Sequence, residues 1–169
     1  MYLEALSFIW GLIFENVQNI LGMASGRAGV EYYAEIHQSK WNSIIHTACM
    51  PFTIYGILLA VPNILFLSRK NAQRFHRGLY LFYLGHYLMI DLYVAILYAI
   101  IYGMIALRAI VHYRRGFKFA LKGVGIATTS LLIQEFIGHY LGGDGPSRLE
   151  AVPNAVMYSV FFANRELLL

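Results

Sequence analysis

Charge is scarce in this chain of 169 residues: Asp, Glu, Lys and Arg make up 13% of it, against 59% for the apolar set. An average soluble domain carries about 25% charged residues, so roughly half the polar material needed to cover a water-facing surface is missing. A soluble monomer is not expected. Cys49 is the single cysteine, which rules out an internal disulfide and with it a disulfide-stapled secreted scaffold. The chain has no HExxH and no paired-cysteine motif, so zinc-peptidase and zinc-ribbon readings fall away. GVG at Gly123 to Gly125 follows no strand and does not complete GxGxxG, and it reads as a close contact between helices. No internal repeat or low-complexity tract is visible.

What is present is aromatic and apolar. With 13 Tyr, 11 Phe and 2 Trp the chain has far more to bury than a disordered segment can hide. The expected fold is all-α: a single membrane domain over residues 1–169, a multi-pass helical bundle with an N-terminal amphipathic or interfacial helix. Met1 to Ala24 carries Glu4 and Glu15 where a cleavable signal would need a basic start and an unbroken apolar run. Instead Glu4, Ser7, Gly11, Glu15, Gln18 and Gly22 recur at steps of three and four and form one narrow polar strip. MASGRAG, residues 23–29, should end that helix.

Crossing a bilayer takes about 20 apolar residues, and three segments qualify. Ser43 to Leu67 contains Pro51 and Pro62, so it should kink or re-enter. Leu79 to Leu107 is interrupted only by His86 and Asp91 and reads as one long span. Phe117 to Leu141 has Lys118 and Lys122 at one end and Gln134, Glu135 and His139 near the other. Ala155 to Ala163 is too short to cross and reads as re-entrant or interfacial.

The net charge of +4 sits in two basic connectors, which fits membrane charge asymmetry better than nucleic-acid binding. Ser68 to Gly78 holds Arg69, Lys70, Arg74 and Arg77; Arg108 to Lys122 holds Arg108, Arg114, Arg115, Lys118 and Lys122. If Leu79 to Leu107 crosses once, these clusters lie on opposite sides and the positive-inside rule leaves the orientation open. His76 and His112 fall in these connectors and read as solvated. The series Tyr80, Tyr83, Tyr87, Tyr93, Tyr98 and Tyr102 reads as core and interfacial rings.

Ionisable and strongly polar residues inside apolar segments cost a few kcal/mol each unless paired or bound, at roughly 2.5–3.5 kcal/mol for a charge at the centre of a helix. They are His46, His86, Asp91, Gln134, Glu135 and His139, with His37 just ahead of the first span. Neutral imidazole is a ligand for iron, zinc or copper, and it is also an ordinary hydrogen-bonded core group. Four histidines in one small bundle favour the ligand reading. Glu135 and His139 are four apart and share a helical face, as do Asn42 and His46. His37 and His46 are nine apart, on opposite faces of a continuous helix, so they can share a metal only if the helix breaks between them. An N-cap at Asn42-Ser43 would supply that break.

Tyr33 to Pro51, YAEIHQSKWNSIIHTACMP, contains Tyr-x3-His, then Asn-x3-His, then Pro. It resembles the opening motif of the 2-hydroxy fatty acid dioxygenase family, small multi-pass proteins of the endoplasmic reticulum. QEFIGH, at Gln134 to His139, is similar to that family's Gln-x3-Gly-His signature, and a Pro-containing segment, Pro153-Asn154-Ala155, follows. The matches bracket the chain from about Tyr33 to Ala163. The resemblance implies Fe2+-dependent chemistry with O2 that shortens 2-hydroxy long-chain fatty acids by one carbon, as in alpha-oxidation. Its matching positions are His37, Asn42, His46, Gln134, Gly138 and His139. On that basis His37, His46 and His139 are the expected iron ligands, and His86 joins them on composition alone. Asn42, Gln134 and Glu135 are expected to act beside the ligands, and Arg148 to hold the substrate carboxylate. Many members carry a Glu four residues after the Gly-His histidine; this chain has Gly143 there, with Asp144 or Glu150 as replacements.

Two other functions fit the composition. One is a non-enzymatic lipid-binding or scaffold bundle whose histidines only hydrogen-bond across helices. The other is a small proton-coupled transporter relaying through His86, Asp91 and Glu135. The histidine boxes of the large membrane desaturases are absent, since no two histidines lie within five residues of each other.

Overall fold

In the computed structural model, residues 31, 34, 35, 38–143 and 158–163 are described. The N-terminal helix expected over 1–24 and its stop at 23–29 lie outside them. Every regular element among the described residues is helical. The elements are α1 (Lys40–Ile64), α2 (Arg69–Ile90), α3 (Leu92–His112) and α4 (Phe117–Leu132), which continues as a π-helix over Ile133–His139 and a last turn, Tyr140–Gly142. Three of these are long and apolar enough to cross a membrane: Lys40–Ile64, Leu92–His112 and Phe117–Gly142.

The helix starts have local chemical reasons. Ser68 caps α2 by accepting from the Asn71 N–H at 3.3 Å. Asp91 stands at φ −155° and ψ 121°, ending α2, and its Oδ1 accepts from Tyr93 N at 2.8 Å and Val94 N at 3.1 Å to start α3. The single span expected over Leu79 to Leu107 is therefore two helices. The carboxylate that looked like an intrusion into an apolar run is the cap that divides it. Ser39, not Asn42-Ser43, is the N-cap position of α1, and Gln38 and Ser39 are non-helical. The break required between His37 and His46 exists, four residues earlier than expected.

Pro51 and Pro62 lie inside α1, which runs through both and stops two residues after the second instead of re-entering. A helical proline lacks the N–H that would bond the carbonyl four residues back. For Pro62 that carbonyl belongs to Leu58, and His76 Nε2 meets it at 2.8 Å. His76 is thus fully buried, not solvated as its basic neighbourhood suggested. His112 is exposed, as expected.

α1 and α4 run antiparallel along a seam of small residues. A Cβ on Gly56 would lie 2.6 Å from Ala127 N, and one on Gly123 would lie 2.5 Å from Ala60 N, so only glycine allows these backbones to approach. Gly123 is the helix contact read from GVG; Gly125 has nothing within 4 Å. α2 and α3 form the second antiparallel pair, joined by tyrosines. Tyr98 stacks on Tyr102 at 5.0 Å and on Tyr80 at 5.6 Å, and it meets Tyr87 edge-on at 5.0 Å. Tyr93 points outward and is 70% exposed.

Residues 158–163 pack into this core. Tyr158, Val160, Phe161, Phe162 and Ala163 are buried. Thr47 Oγ1 donates to the Ala163 carbonyl at 3.3 Å, Ser159 Oγ lies 3.7 Å from Met50 Sδ, and Phe161 packs on Tyr87. The segment lies between α1 and α2.

Because α2 and α3 fold back on each other at Asp91, the two basic connectors are at the same end. Tyr113 donates to the Leu67 carbonyl at 2.8 Å, Gly116 N donates to Asn63 Oδ1 at 2.8 Å, and the His76 ring meets that of Tyr113. The apparent conflict with the positive-inside rule disappears.

Candidate functional site

At the opposite end, α1 presents Asn42, His46, Cys49, Thr53 and Gly56 at steps of four and three, one face of an α-helix turned toward α4. The partner face contains an irregularity that the sequence reading missed. The whole IQEFIGH signature is wound as a π-helix. Gln134 and His139 are five apart, and an α-helix would set them about 140° apart around its axis. The i→i+5 winding of a π-helix stacks such positions instead, a device that recurs at functional sites. Gln134, Gly138 and His139 are all buried against α1, while Phe136 and Ile137 face outward.

His46 and His139 meet with ring centroids 5.5 Å apart and planes at 85°. Both are almost fully buried. Asn42 Nδ2 lies 3.5 Å from His139 Nδ1, a long hydrogen bond, and Asn42 is itself fully buried. On the other side of that ring, His139 Nε2 lies 3.8 Å from Glu135 Oε2, whose side chain is 39% exposed. Glu135 is the point where this cluster reaches its surroundings. Gly138 is what lets the groups close up: a Cβ there would stand 2.8 Å from Asn42 Oδ1 and 3.5 Å from His46 Cδ2. Gly142 does the same one turn further on, where a Cβ would lie 3.0 Å from that of Ser39.

Gln134 belongs to a neighbouring polar chain. Its Nε2 donates to Thr53 Oγ1 at 2.9 Å and to the Ser130 carbonyl at 3.2 Å. The Thr53 hydroxyl donates to Ser130 Oγ at 2.9 Å, and the Ser130 hydroxyl donates to the Cys49 carbonyl at 2.7 Å. Each hydroxyl uses its one proton and accepts another, so the chain is directional from Gln134 to α1. Gln134 Oε1 is buried with no hydrogen-bond partner among the described residues.

Asn42, His46, Glu135 and His139 therefore converge, with Gln134 one turn away on the same seam. His86 is buried elsewhere, its ring 5.7 Å from that of Tyr87 and 5.6 Å from that of Tyr158. His37, Arg148, Asp144 and Glu150 lie outside the described residues. Among the described residues, no three His, Cys, Asp or Glu side chains are grouped closely enough to hold a metal ion. They supply two imidazoles in contact, with a carboxylate beside one of them. A facial-triad metal site takes two imidazoles and one carboxylate aimed at a single point, and here the Glu135 carboxylate lies beside His139 alone.

No protein-family model, curated protein or solved structure matches the chain.

Proposed function

We propose that the chain is an Fe2+-dependent oxygenase of the endoplasmic reticulum membrane that shortens 2-hydroxy long-chain fatty acids by one carbon. The observation that carries this reading is the meeting of His46 and His139, ninety-three residues apart in the chain, against a glycine that makes room for both. All the signature positions with a described structure, Asn42, His46, Gln134, Gly138 and His139, fall on this one seam. His46 and His139 would hold the iron, and His37, beyond the break at Gln38-Ser39, is the proposed third donor. Iron bound there would activate dioxygen toward a chelating 2-hydroxy acid.

The chain's own groups have separable tasks. Asn42 orients the His139 ring through Nδ1, and with its amide turned so that Oδ1 accepts the Nδ1 proton, the Nε2 lone pair is the one presented. Glu135, half in contact with the surroundings, sets its carboxylate 3.8 Å from His139 Nε2, beside the atom that would face a bound ion. Gln134 ties the π-helix to α1 and holds the register of the two histidines. The exposed Phe136, Ile137, Tyr140 and Leu141 beside the site offer an apolar surface to an acyl chain. Arg148 is the proposed carboxylate partner.

The scaffold reading retains one observation, the absence of a third close ligand among the described residues. Two imidazoles and an amide across a helix seam are also an interhelical lock. In the transporter reading, by contrast, Asp91 is already engaged as a cap. The deciding experiment incubates detergent-solubilised protein with ferrous iron, oxygen and 2-hydroxypalmitate, followed by mass spectrometry for the fifteen-carbon acid and by metal analysis. His46→Ala and His139→Ala should each lose stoichiometric iron and all product while the protein still extracts from membranes. Iron-free wild type with no product would leave the interhelical lock as the better account.

A further inference from the structure

The hairpin at Asp91 gives the bundle one strongly cationic end. Arg69, Lys70, Arg74, Arg77, Arg108, Arg114, Arg115, Lys118 and Lys122 are all exposed there. Between Ser68 and Lys122 the only acidic residue is Asp91, which is at the other end. Surface cations with no acidic partner among the described residues face a matching anionic layer most favourably, and a bilayer leaflet of anionic lipid is such a layer.

An open apolar groove of about 430 Å³ runs between α1 and α3 and ends at one of these cations; Pro51, Tyr55, Ile101, Met104, Ile105 and Arg108 line it. α1 and α3 both point toward the basic end, since Tyr113, after the last turn of α3, bonds the Leu67 carbonyl just past α1. From Arg108 to Ile101 the groove descends about 10 Å at 1.5 Å per residue. Its walls are hydrocarbon and one phenol, and its mouth is a guanidinium that no carboxylate engages among the described residues. An apolar slot leading from a fork of N–H donors matches an amphiphile with an acidic head.

We infer that this groove binds one anionic phospholipid of the leaflet at the basic end, its phosphate on Arg108 and an acyl chain along Ile105, Met104 and Ile101. The site is remote from the His46–His139 pair and does not depend on the proposed oxygenase activity. It also sets the orientation, with the basic end at the anionic leaflet and the histidine pair near the other.

The test is native mass spectrometry of the full chain released from micelles holding equal amounts of phosphatidylglycerol and phosphatidylcholine with identical acyl chains. The wild type should retain a single phosphatidylglycerol in preference to phosphatidylcholine. Arg108→Gln should lower that preference roughly fivefold, the effect of one basic side chain at an anionic surface. Arg114→Gln, at the same end but off the groove, should leave it unchanged. Met104→Trp, which fills the slot, should reduce both adducts. Equal retention of the two lipids by the wild type would overturn the proposal. So would an equal loss in the Arg108 and Arg114 variants, which would mean diffuse attraction to the basic end with no seated lipid.

Discussion

Each end of α1 buries a histidine, for different physical reasons. At the basic end, His76 donates to the Leu58 carbonyl that Pro62 leaves without its helical partner, so its burial is backbone repair. At the far end, His46 and His139 come from distant parts of the sequence, share one contact and rely on a glycine for clearance. Burial alone therefore says little about a histidine's task. What distinguishes the two ends is the partner each ring meets: a carbonyl left open by a proline at one, a second imidazole at the other.

Breaking the seam that joins the ends should have the largest effect. Gly123→Val would drive a branched side chain into the α1 backbone, where even a Cβ stands 2.5 Å from Ala60 N. The expected cost is about 3 kcal/mol or more, a large share of the roughly 5–15 kcal/mol that holds a domain folded, so unfolding should occur at a much lower temperature. Both the helical signal at elevated temperature and any iron binding should be lost together. The same substitution at Gly125, which has nothing within 4 Å, should be tolerated. Equal melting temperatures for the two variants would contradict the close approach of α1 and α4.

Exchanging the two kinds of histidine for leucine sharpens the comparison. His76→Leu leaves the Leu58 carbonyl buried without its donor and should cost about 1–3 kcal/mol in unfolding experiments, with any iron binding at the far end unchanged in the folded fraction. His46→Leu should do the opposite, abolishing the proposed iron binding while keeping most of the stability, because an apolar side chain of similar size fills the seam. If both variants lost iron alike, the ends would not be independent.

The division of labour was only half legible in the sequence. The all-α architecture followed from composition, and Glu135, His139, Asn42 and His46 were assigned to the right faces because their spacing is helical. Asp91 was misread because an apolar run of nearly thirty residues masks a one-residue cap; its residue type, common at N-caps, was the available signal. His76 was misread because its sequence neighbours are charged, although a proline deep in an apolar helix announces that the carbonyl four residues earlier needs a donor. The π-helical winding of Ile133–His139 has no local code of this kind. It is visible only once Gln134 and His139 are seen to face the same helix, since an α-helical reading separates them.

The smallest expected effect is one of pH at the basic end. Burial pushes the His76 imidazole below its ordinary pKa, with the bond to the Leu58 carbonyl acting weakly in the other direction. The unfolded chain, whose imidazole titrates near the ordinary value of about 6.5, therefore binds a proton over a range where the folded protein resists one. Above that range the ring is neutral in both states and contributes no pH dependence. As pH falls through the ordinary pKa, stability should decline, by no more than about 1.4 kcal/mol per pH unit, and level off once the buried ring also protonates. His76→Gln keeps an N–H for Leu58 and removes the titration. Its melting temperature should consequently fall less than that of the wild type between pH 7 and pH 5. An unchanged acid sensitivity in this variant would show that the pH dependence does not come from His76, and the proline-repair role of His76 would then rest on the stability loss in His76→Leu alone.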